Sequence, residues 1–266
     1  MITYRVIRTK SEKEGIKAGF FSLFESVYMK SLKESDWEHQ FVHSPYDDTV
    51  MFIASDGDKI VGSSVMIRQT LSYDGESVPY YLFTSSAILT DYRTYGIYPE
   101  LLKMQKEYAA ENKASFIFAF PNETAFPVLK LFGRFKVVGK YDLVKTDFKN
   151  FNINRLSDAL KLDENMFCWR FEHKPYYFSN ISDKIVIFKD YEGVLDMLAV
   201  YDKASFGHDF ADTAIEQDAT IITLDANVID RSVCETFGRV NATYFALNND
   251  VDFEKVNINL LMSDVF

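Results

Sequence analysis

The apolar positions of this chain keep two rhythms. Between Gly15 and Met29, residues Ile16, Phe20, Leu23, Phe24 and Val27 recur at spacings of three and four. That spacing predicts an amphipathic helix lying on a sheet. Ser35-Asp-Trp-Glu38 predicts a second, short helix, with the serine as cap, the glutamate bonding back, Trp37 and Phe41 on the buried side, and an end before Pro45. From Thr49 the period drops to that of strands. Val50–Ala54, Lys59–Ile67 and Val78–Leu89 are joined by Ser55-Asp-Gly-Asp58 and Tyr73-Asp-Gly-Glu76. In each turn a glycine accepts the positive φ of a tight hairpin, so three consecutive antiparallel strands are expected.

The helical period returns in Glu100–Lys113 through Leu101, Leu102, Tyr108 and Ala109, with Pro99 in the first turn, where its missing N–H breaks no bond. Ala114–Phe120 reads as a buried strand, Pro121-Asn-Glu-Thr124 as its exit, Ala125–Phe132 as a helix stopped by Gly133, and Phe135–Val144 as closing strand material. Five of the six prolines precede residue 128 and only Pro175 follows, so a boundary is expected near residues 146–160, dividing the chain into 1–147 and 148–266. In the second part, 184–190, 193–201, Thr220–Leu224 and Thr243–Leu247 read as strands, with helices over Phe210–Ala219 and over Val228–Phe237, the latter stopped by Gly238. This order echoes the first part and predicts a degenerate second copy of one α/β (α+β) fold.

Composition narrows the function. With 266 residues, 47% hydrophobic and 26% charged, the chain is globular rather than disordered or a disulfide scaffold. Cys168 and Cys234 lack Cys-x-x-Cys spacing and read as reduced structural thiols. No apolar run approaches the length of a membrane span, and Met1–Gly15 carries scattered charges where a signal peptide is apolar, so a cytoplasmic location without membrane association is expected. The net charge is −10; residues 1–150 carry 19 basic and 19 acidic side chains, the remainder 10 and 20. That balance excludes nucleic acid as a partner and leaves a small molecule. His39 and His43 stand four apart without a third ligand at diagnostic spacing, so no metal is expected. His173 and His208 carry no functional reading. Tyr73, Tyr80, Tyr81, Tyr176 and Tyr177 read as core rather than as stacking platforms.

Chemistry enters at Asp91-Tyr-Arg93-Thr-Tyr-Gly96-Ile-Tyr-Pro99. A strand that runs through Arg-x-x-Gly into a helix presents backbone N–H groups and the positive end of a helix dipole to an anion, and the glycine lets the backbone come close. The segment resembles the pyrophosphate-binding signature of the Gcn5-related N-acetyltransferases (GNAT), Gln/Arg-x-x-Gly-x-Gly/Ala. Phe120-Pro121-Asn122 is similar to the exit of the fifth strand in bacterial members. The resemblance covers about residues 1–145. Trp169-Arg170, Pro175-Tyr-Tyr177 and Leu260–Phe266 extend it to the second half of two-lobed members.

The resemblance implies a mixed, mostly antiparallel sheet split between its fourth and fifth strands, with acetyl-CoA as co-substrate. Its diphosphate would lie on the amides of Arg93, Thr94, Tyr95, Gly96, Ile97 and Tyr98, its pantetheine along the backbone at Ile88, and Asn122 would bond near the thiol arm. The thioester would lie beside Ser85, Ser86 and Ala87. Trp37, His39, His43 and Ser85 would border the acceptor, and Glu123 is the candidate base. Two positions depart from the family. Tyr98 stands where glycine or alanine is usual, and Leu129 stands where many relatives carry the tyrosine that protonates the leaving thiolate. The implied reaction is direct acetyl transfer to a primary amine, such as an amino sugar or another small cation suited to the acidic second half. A non-catalytic CoA-dependent sensor or scaffold of the same fold, or a sugar- or peptide-binding module, remains the alternative, and the oligomeric state is open.

Overall fold

The protein is described by a computed structural model over residues 1–153, 159–171, 176–191, 193–248 and 251–263. The chain opens with strand β1 (Ile2–Ile7), helix α1 (Lys10–Tyr28) and a short helix α2 (Glu34–Trp37), which continues as a π-helical turn through Val42. Strands β2 (Thr49–Asp56), β3 (Lys59–Tyr73) and β4 (Glu76–Ile88) follow, then α3 (Ile97–Glu111), β5 (Phe116–Ala119), α4 (Ala125–Leu131) and β6 (Lys136–Asp147). The second half supplies α5 (Glu164–Phe171), β7 (Tyr176–Ile181), β8 (Lys184–Tyr191), β9 (Val194–Asp202), α6 (Lys203–Phe206), β10 (Thr220–Leu224) and β11 (Glu235–Ala246).

Among the described residues eleven strands form one sheet in the order β1-β2-β3-β4-β5-β11-β6-β10-β9-β8-β7. Of these described strand pairs, β4–β5 and β9–β10 run parallel and the others antiparallel. The expected border at residue 147 coincides with the end of β6, yet β11 lies between β5 and β6, antiparallel to both. The two halves thus share a sheet by interleaving. One apolar cluster crosses them, bringing Leu71, Tyr80, Phe116 and Phe118 of the first half against Leu198, Ala242, Phe253 and Leu261 of the second. A separate cluster packs α3 on the other strands through Ile97, Leu101, Leu102 and Ala109, and a third seats α1 through Ile16, Phe20 and Leu23.

The first helix and the three antiparallel strands stand where their periods placed them. Thr9 caps α1, with Glu12 completing the reciprocal capping pair. The Asp74-Gly75 turn has both residues at positive φ, 49° and 80°, as a type I′ hairpin needs. Other expectations are corrected. Ser35 lies inside α2, whose first residue is Glu34 and whose cap position, Lys33, supplies no side-chain bond. Strand β1 was not expected; it alternates half-buried with exposed positions and pairs with β2.

In the second half neither predicted helix forms. The segment 210–219 is irregular, with one bridge to β7 and a turn over 217–218: Thr213 N–H bonds Phe178 O at 2.7 Å, and Asn180 N–H bonds the Asp212 carboxylate at 2.8 Å. Over 228–237 there is a single 3-10 turn, Arg231–Val233, capped by Asp230, before β11 begins. Gly238 marks a register shift against Leu143. It is a strand irregularity, not a helix stop, and glycine serves both. Strands β8, β9, β10 and the end of β11 lie on predicted segments, β7 was not expected, and both predicted helices are absent. His173, Pro175 and residues 264–266 lie outside the described residues.

Asp196, in the middle of β9, is 3% exposed. Burial pushes its carboxyl up to about 6 against the attraction of Lys189, with Asp190 adding to the rise. The folded chain thus keeps this proton up to about pH 6, whereas the unfolded chain, at an ordinary value of 3.8, sheds it near pH 4. The unfolded state binds fewer protons in that window, so this group's contribution to stability is full below about pH 4 and is lost as pH rises through about 6. The size is on the order of 2–3 kcal/mol. Asp196→Asn is expected to abolish this decline and to raise the urea midpoint at pH 7, read from unfolding curves across pH.

Candidate functional site

The central feature is where β4 and β5 part. They pair only over Tyr80–Phe83 with Phe116–Ala119. Immediately beyond, β4 bulges: Ser85 and Ser86 together oppose Ser64, since Ser63 pairs with Ala87 and Val65 with Thr84. Ser85 carries the cost of the bulge at φ 47°, a left-handed conformation that a non-glycine residue holds only under strain. Strand β5 leaves through Pro121-Asn122, and the edge of β4 from Thr84 to Ile88 is left without a neighbouring strand on that side. The parting opens a recess of about 140 Å³ lined by Phe83, Thr84, Ser85, Ala119, Phe120 and Leu129. It adjoins a cleft of about 600 Å³ that runs past Ile88, Arg93, Thr94, Gly96, Tyr98 and Phe132. Tyr28, Ser86, Asn122 and Ala125 line both.

At the far end of the cleft the chain turns into α3. Gly96 is its N-cap, at φ 70° and ψ 14°; a Cβ built there meets nothing within 4 Å. The turn uses some of its own donors: Arg93 N–H bonds Thr90 O at 3.3 Å and Tyr95 N–H bonds Tyr92 O at 3.2 Å. The amides of Thr94, Gly96, Ile97 and Tyr98 are not used by these bonds, and at a helix N-terminus such donors suit an anion. Of the six amides singled out in the sequence, those of Arg93 and Tyr95 are thus engaged within the turn itself. Pro99 sits in the first turn, and α3 starts at Ile97, three residues ahead of the predicted Glu100.

The predicted site residues divide clearly. Ile88, Arg93, Thr94, Gly96, Tyr98 and Asn122 line the cleft, and Ser85 lines the recess. Ile97 contributes only its backbone, since its side chain is buried in the core over α3. Tyr95 points outward, 63% exposed, against Tyr92. Arg93 reaches back to donate from Nε to the Ile88 carbonyl at 3.4 Å, so that carbonyl is already engaged. The carboxamide oxygen of Asn122 accepts from the Thr124 and Ala125 amides at 3.1 and 2.9 Å. The residue lines both the cleft and the recess.

Tyr98 turns inward: its hydroxyl is buried, and burial pushes it well above the ordinary phenol range, partly offset by the neighbouring Ser86 side chain.

Four candidates lie away from the cleft and the recess. Trp37 is 0% exposed, packed on Phe20, Phe21 and Phe41, because the aromatic stripe of α1 and α2 fills the core beneath them. His43 is exposed beside Glu38 at 3.5 Å, and His39 stacks on Trp169 at 5.3 Å. None of the three lines the cleft or the recess. Glu123 lines neither; its carboxylate accepts from Asn241 Nδ2 at 3.2 Å. Asn241, on β11, also donates to Pro121 O at 3.4 Å. The second half thus anchors the turn that carries Asn122. Tyr80 and Tyr81 are core, bonded to Gln69 at 2.6 Å and Asp48 at 2.7 Å. Among the described residues no cluster of three or more His, Cys, Asp or Glu is placed to hold a metal ion, and no helix is long and apolar enough to cross a membrane.

Sequence reasoning missed Tyr28 and Asn241. Tyr28 follows the predicted stripe four residues after Phe24 and packs on it with ring centroids 4.6 Å apart, so its position was legible but its direction was not. Asn241 could not be found while the segment before it was expected to be helical.

Residues 8–137 match the model of the family described as acetyltransferase (GNAT) domain. No curated protein matches the chain in sequence. Among solved structures, a probable N-acyltransferase from Enterococcus faecalis superposes with a TM-score of 0.63 at 10% identity, over 92% of this chain and 73% of that one. A GCN5-related N-acetyltransferase from Kribbella flavida gives 0.61 at 12%, over 93% and 72%. A putative acetyltransferase from Pyrococcus horikoshii gives 0.59 at 12%, over 97% and 93%. At such identities the likeness is one of fold, and it spans both halves.

Proposed function

Because residues 8–137 belong to the acetyltransferase (GNAT) domain family, we propose that the chain moves an acetyl group from acetyl-CoA to the primary amine of a small molecule. The reading is carried by one observation: a continuous opening links the unpaired amides at the start of α3 to the point where β4 and β5 part. The amides of Gly96, Ile97 and Tyr98 hold the diphosphate, helped by the dipole of α3. The open edge of β4 and the Asn122 NH₂ bond the amide-rich arm, much as a strand edge binds a peptide. The recess by Ser85 and Ala119 then receives the thioester. Catalysis rests mainly on this placement, which turns a bimolecular encounter into an oriented one.

Glu123, engaged by Asn241, steadies the Asn122 turn, and the amine sheds its proton to water. The acidic excess of residues 151–266, 20 acidic against 10 basic, favours a cationic acceptor such as an amino sugar by raising its local concentration.

Two measurements test this. Acetyl-CoA at about a hundred times its dissociation constant is expected to stabilise the fold by about 2.7 kcal/mol, a rise in melting temperature of roughly 5–10 °C for a chain of this size. Thiol release in the presence of a panel of amines then identifies the acceptor. A thermal rise without thiol release for any amine fits instead a CoA-dependent sensor, in keeping with Leu129; no thermal rise overturns the site.

A further inference from the structure

Resting on that reading, we infer that the Tyr28 hydroxyl is the acid that protonates the departing thiolate. The family's usual donor position is filled by Leu129, which is 0% exposed, lines the recess and has no proton to give. Tyr28 enters from the last turn of α1 and lines both the cleft and the recess, so its side chain stands at the passage where the arm ends and the thioester begins. Its hydroxyl donates to the Ser86 carbonyl at 2.7 Å, on the strained bulge of β4, and its ring is held against Phe24.

Four hydroxyls line the recess: those of Tyr28, Thr84, Ser85 and Ser86. Ser86 Oγ is engaged with Ser64 Oγ at 2.7 Å, and Ser64 accepts from the buried Gln105 at 3.0 Å. Thr84 and Ser85 lie within 3.3 Å of each other. Acidity separates the rest. Phenols ionise near 10 and thiols near 8.5, whereas aliphatic alcohols are far weaker acids. Proton transfer to sulfur is therefore nearly balanced from a phenol and steeply uphill from serine or threonine.

In the step, the amine nitrogen bonds to the carbonyl carbon and the C–S bond breaks, its electron pair passing to sulfur. The Tyr28 O–H proton moves to that sulfur, giving the free thiol. The nitrogen loses one proton on becoming an amide, and this proton returns through water to the Tyr28 oxygen. Thioester plus amine becomes amide plus thiol, and no other reactant is needed.

The test is Tyr28→Phe, which keeps the ring on Phe24. Calorimetric affinities for CoA and for desulfo-CoA are measured from about pH 6.5 to 9 in both proteins. In the wild type, affinity for CoA rises several-fold as the thiol ionises while that for desulfo-CoA shows no such rise. In the variant the two ligands behave alike. With any amine that the wild type accepts, kcat falls about tenfold or more at unchanged KM for acetyl-CoA. If both proteins bind CoA with the same pH dependence, Tyr28 is not the donor and the cofactor site stands. If neither binds CoA, the acetyltransferase reading itself falls and this inference with it.

Discussion

Gly96→Val will abolish the rise in melting temperature produced by acetyl-CoA while lowering the melting temperature of the free protein by only a few degrees. Two effects combine. The residue sits at φ 70°, a conformation that costs an L-residue about 1–2 kcal/mol and a β-branched one most. Space is not the obstacle, because a Cβ there meets nothing within 4 Å. That emptiness faces the cleft, so the valine methyls occupy the approach of the diphosphate to the Gly96, Ile97 and Tyr98 amides. Each hydrogen bond to a charged group contributes about 1.5–3 kcal/mol, so losing even two weakens acetyl-CoA by roughly two orders of magnitude or more. Gly96→Ala bears the conformational cost with less bulk and should fall between. Calorimetry on the three proteins gives the affinities directly; a valine variant that retained wild-type affinity would place the diphosphate elsewhere.

The same segment shows how far sequence alone carries. Arg93-x-x-Gly96 is a local device: its conformation is set by neighbours a few residues away, and both the cleft and its donors could be read from it. The hairpin turns at Gly57 and Gly75 are local in the same sense. Tyr98 is the counter-example. The direction of its side chain is set by the apolar cluster it packs against, drawn from several strands and from α3, and nothing in the local pattern announces that. Trp37 failed for a related reason, since an aromatic residue on a short helix has the same periodicity whether it faces a core or a substrate.

The second half was harder because its organisation is non-local. Glu235–Ala246 reads as a strand only once β5 and β6 stand on either side of it, and its Gly238 imitates a helix stop. Most strands were legible in sequence order, β1 and β7 excepted; their order in space, with β11 between β5 and β6, was not. That placement has a functional consequence: Asn241 reaches the Pro121–Glu123 turn only because β11 borders β5.

Interleaving also concentrates stability at the contacts joining the halves, and the largest single loss is expected at Arg170. This residue of α5 is 3% exposed. Its guanidinium donates to the carbonyls of Leu261 and Ser263 and lies over the Trp169 ring at 5.2 Å. Trp169 in turn donates to His39 O at 2.9 Å and packs with Met166 on Ile67 of β3. One helix thus fastens the carboxyl-terminal segment, whose Leu260, Leu261 and Met262 belong to the cluster shared by both halves, to the amino-terminal lobe.

Arg170→Met fills similar volume but leaves two carbonyls without donors, each costing about 1–3 kcal/mol, so a loss of about 3–4 kcal/mol is expected. Lysine should rescue little, because a single ammonium lacks the planar fork that serves two acceptors from one side. Urea unfolding followed separately by tryptophan fluorescence and far-ultraviolet circular dichroism gives the measurement. A midpoint within about 0.5 kcal/mol of wild type, the range of an ordinary surface change, would show that the clasp lies elsewhere.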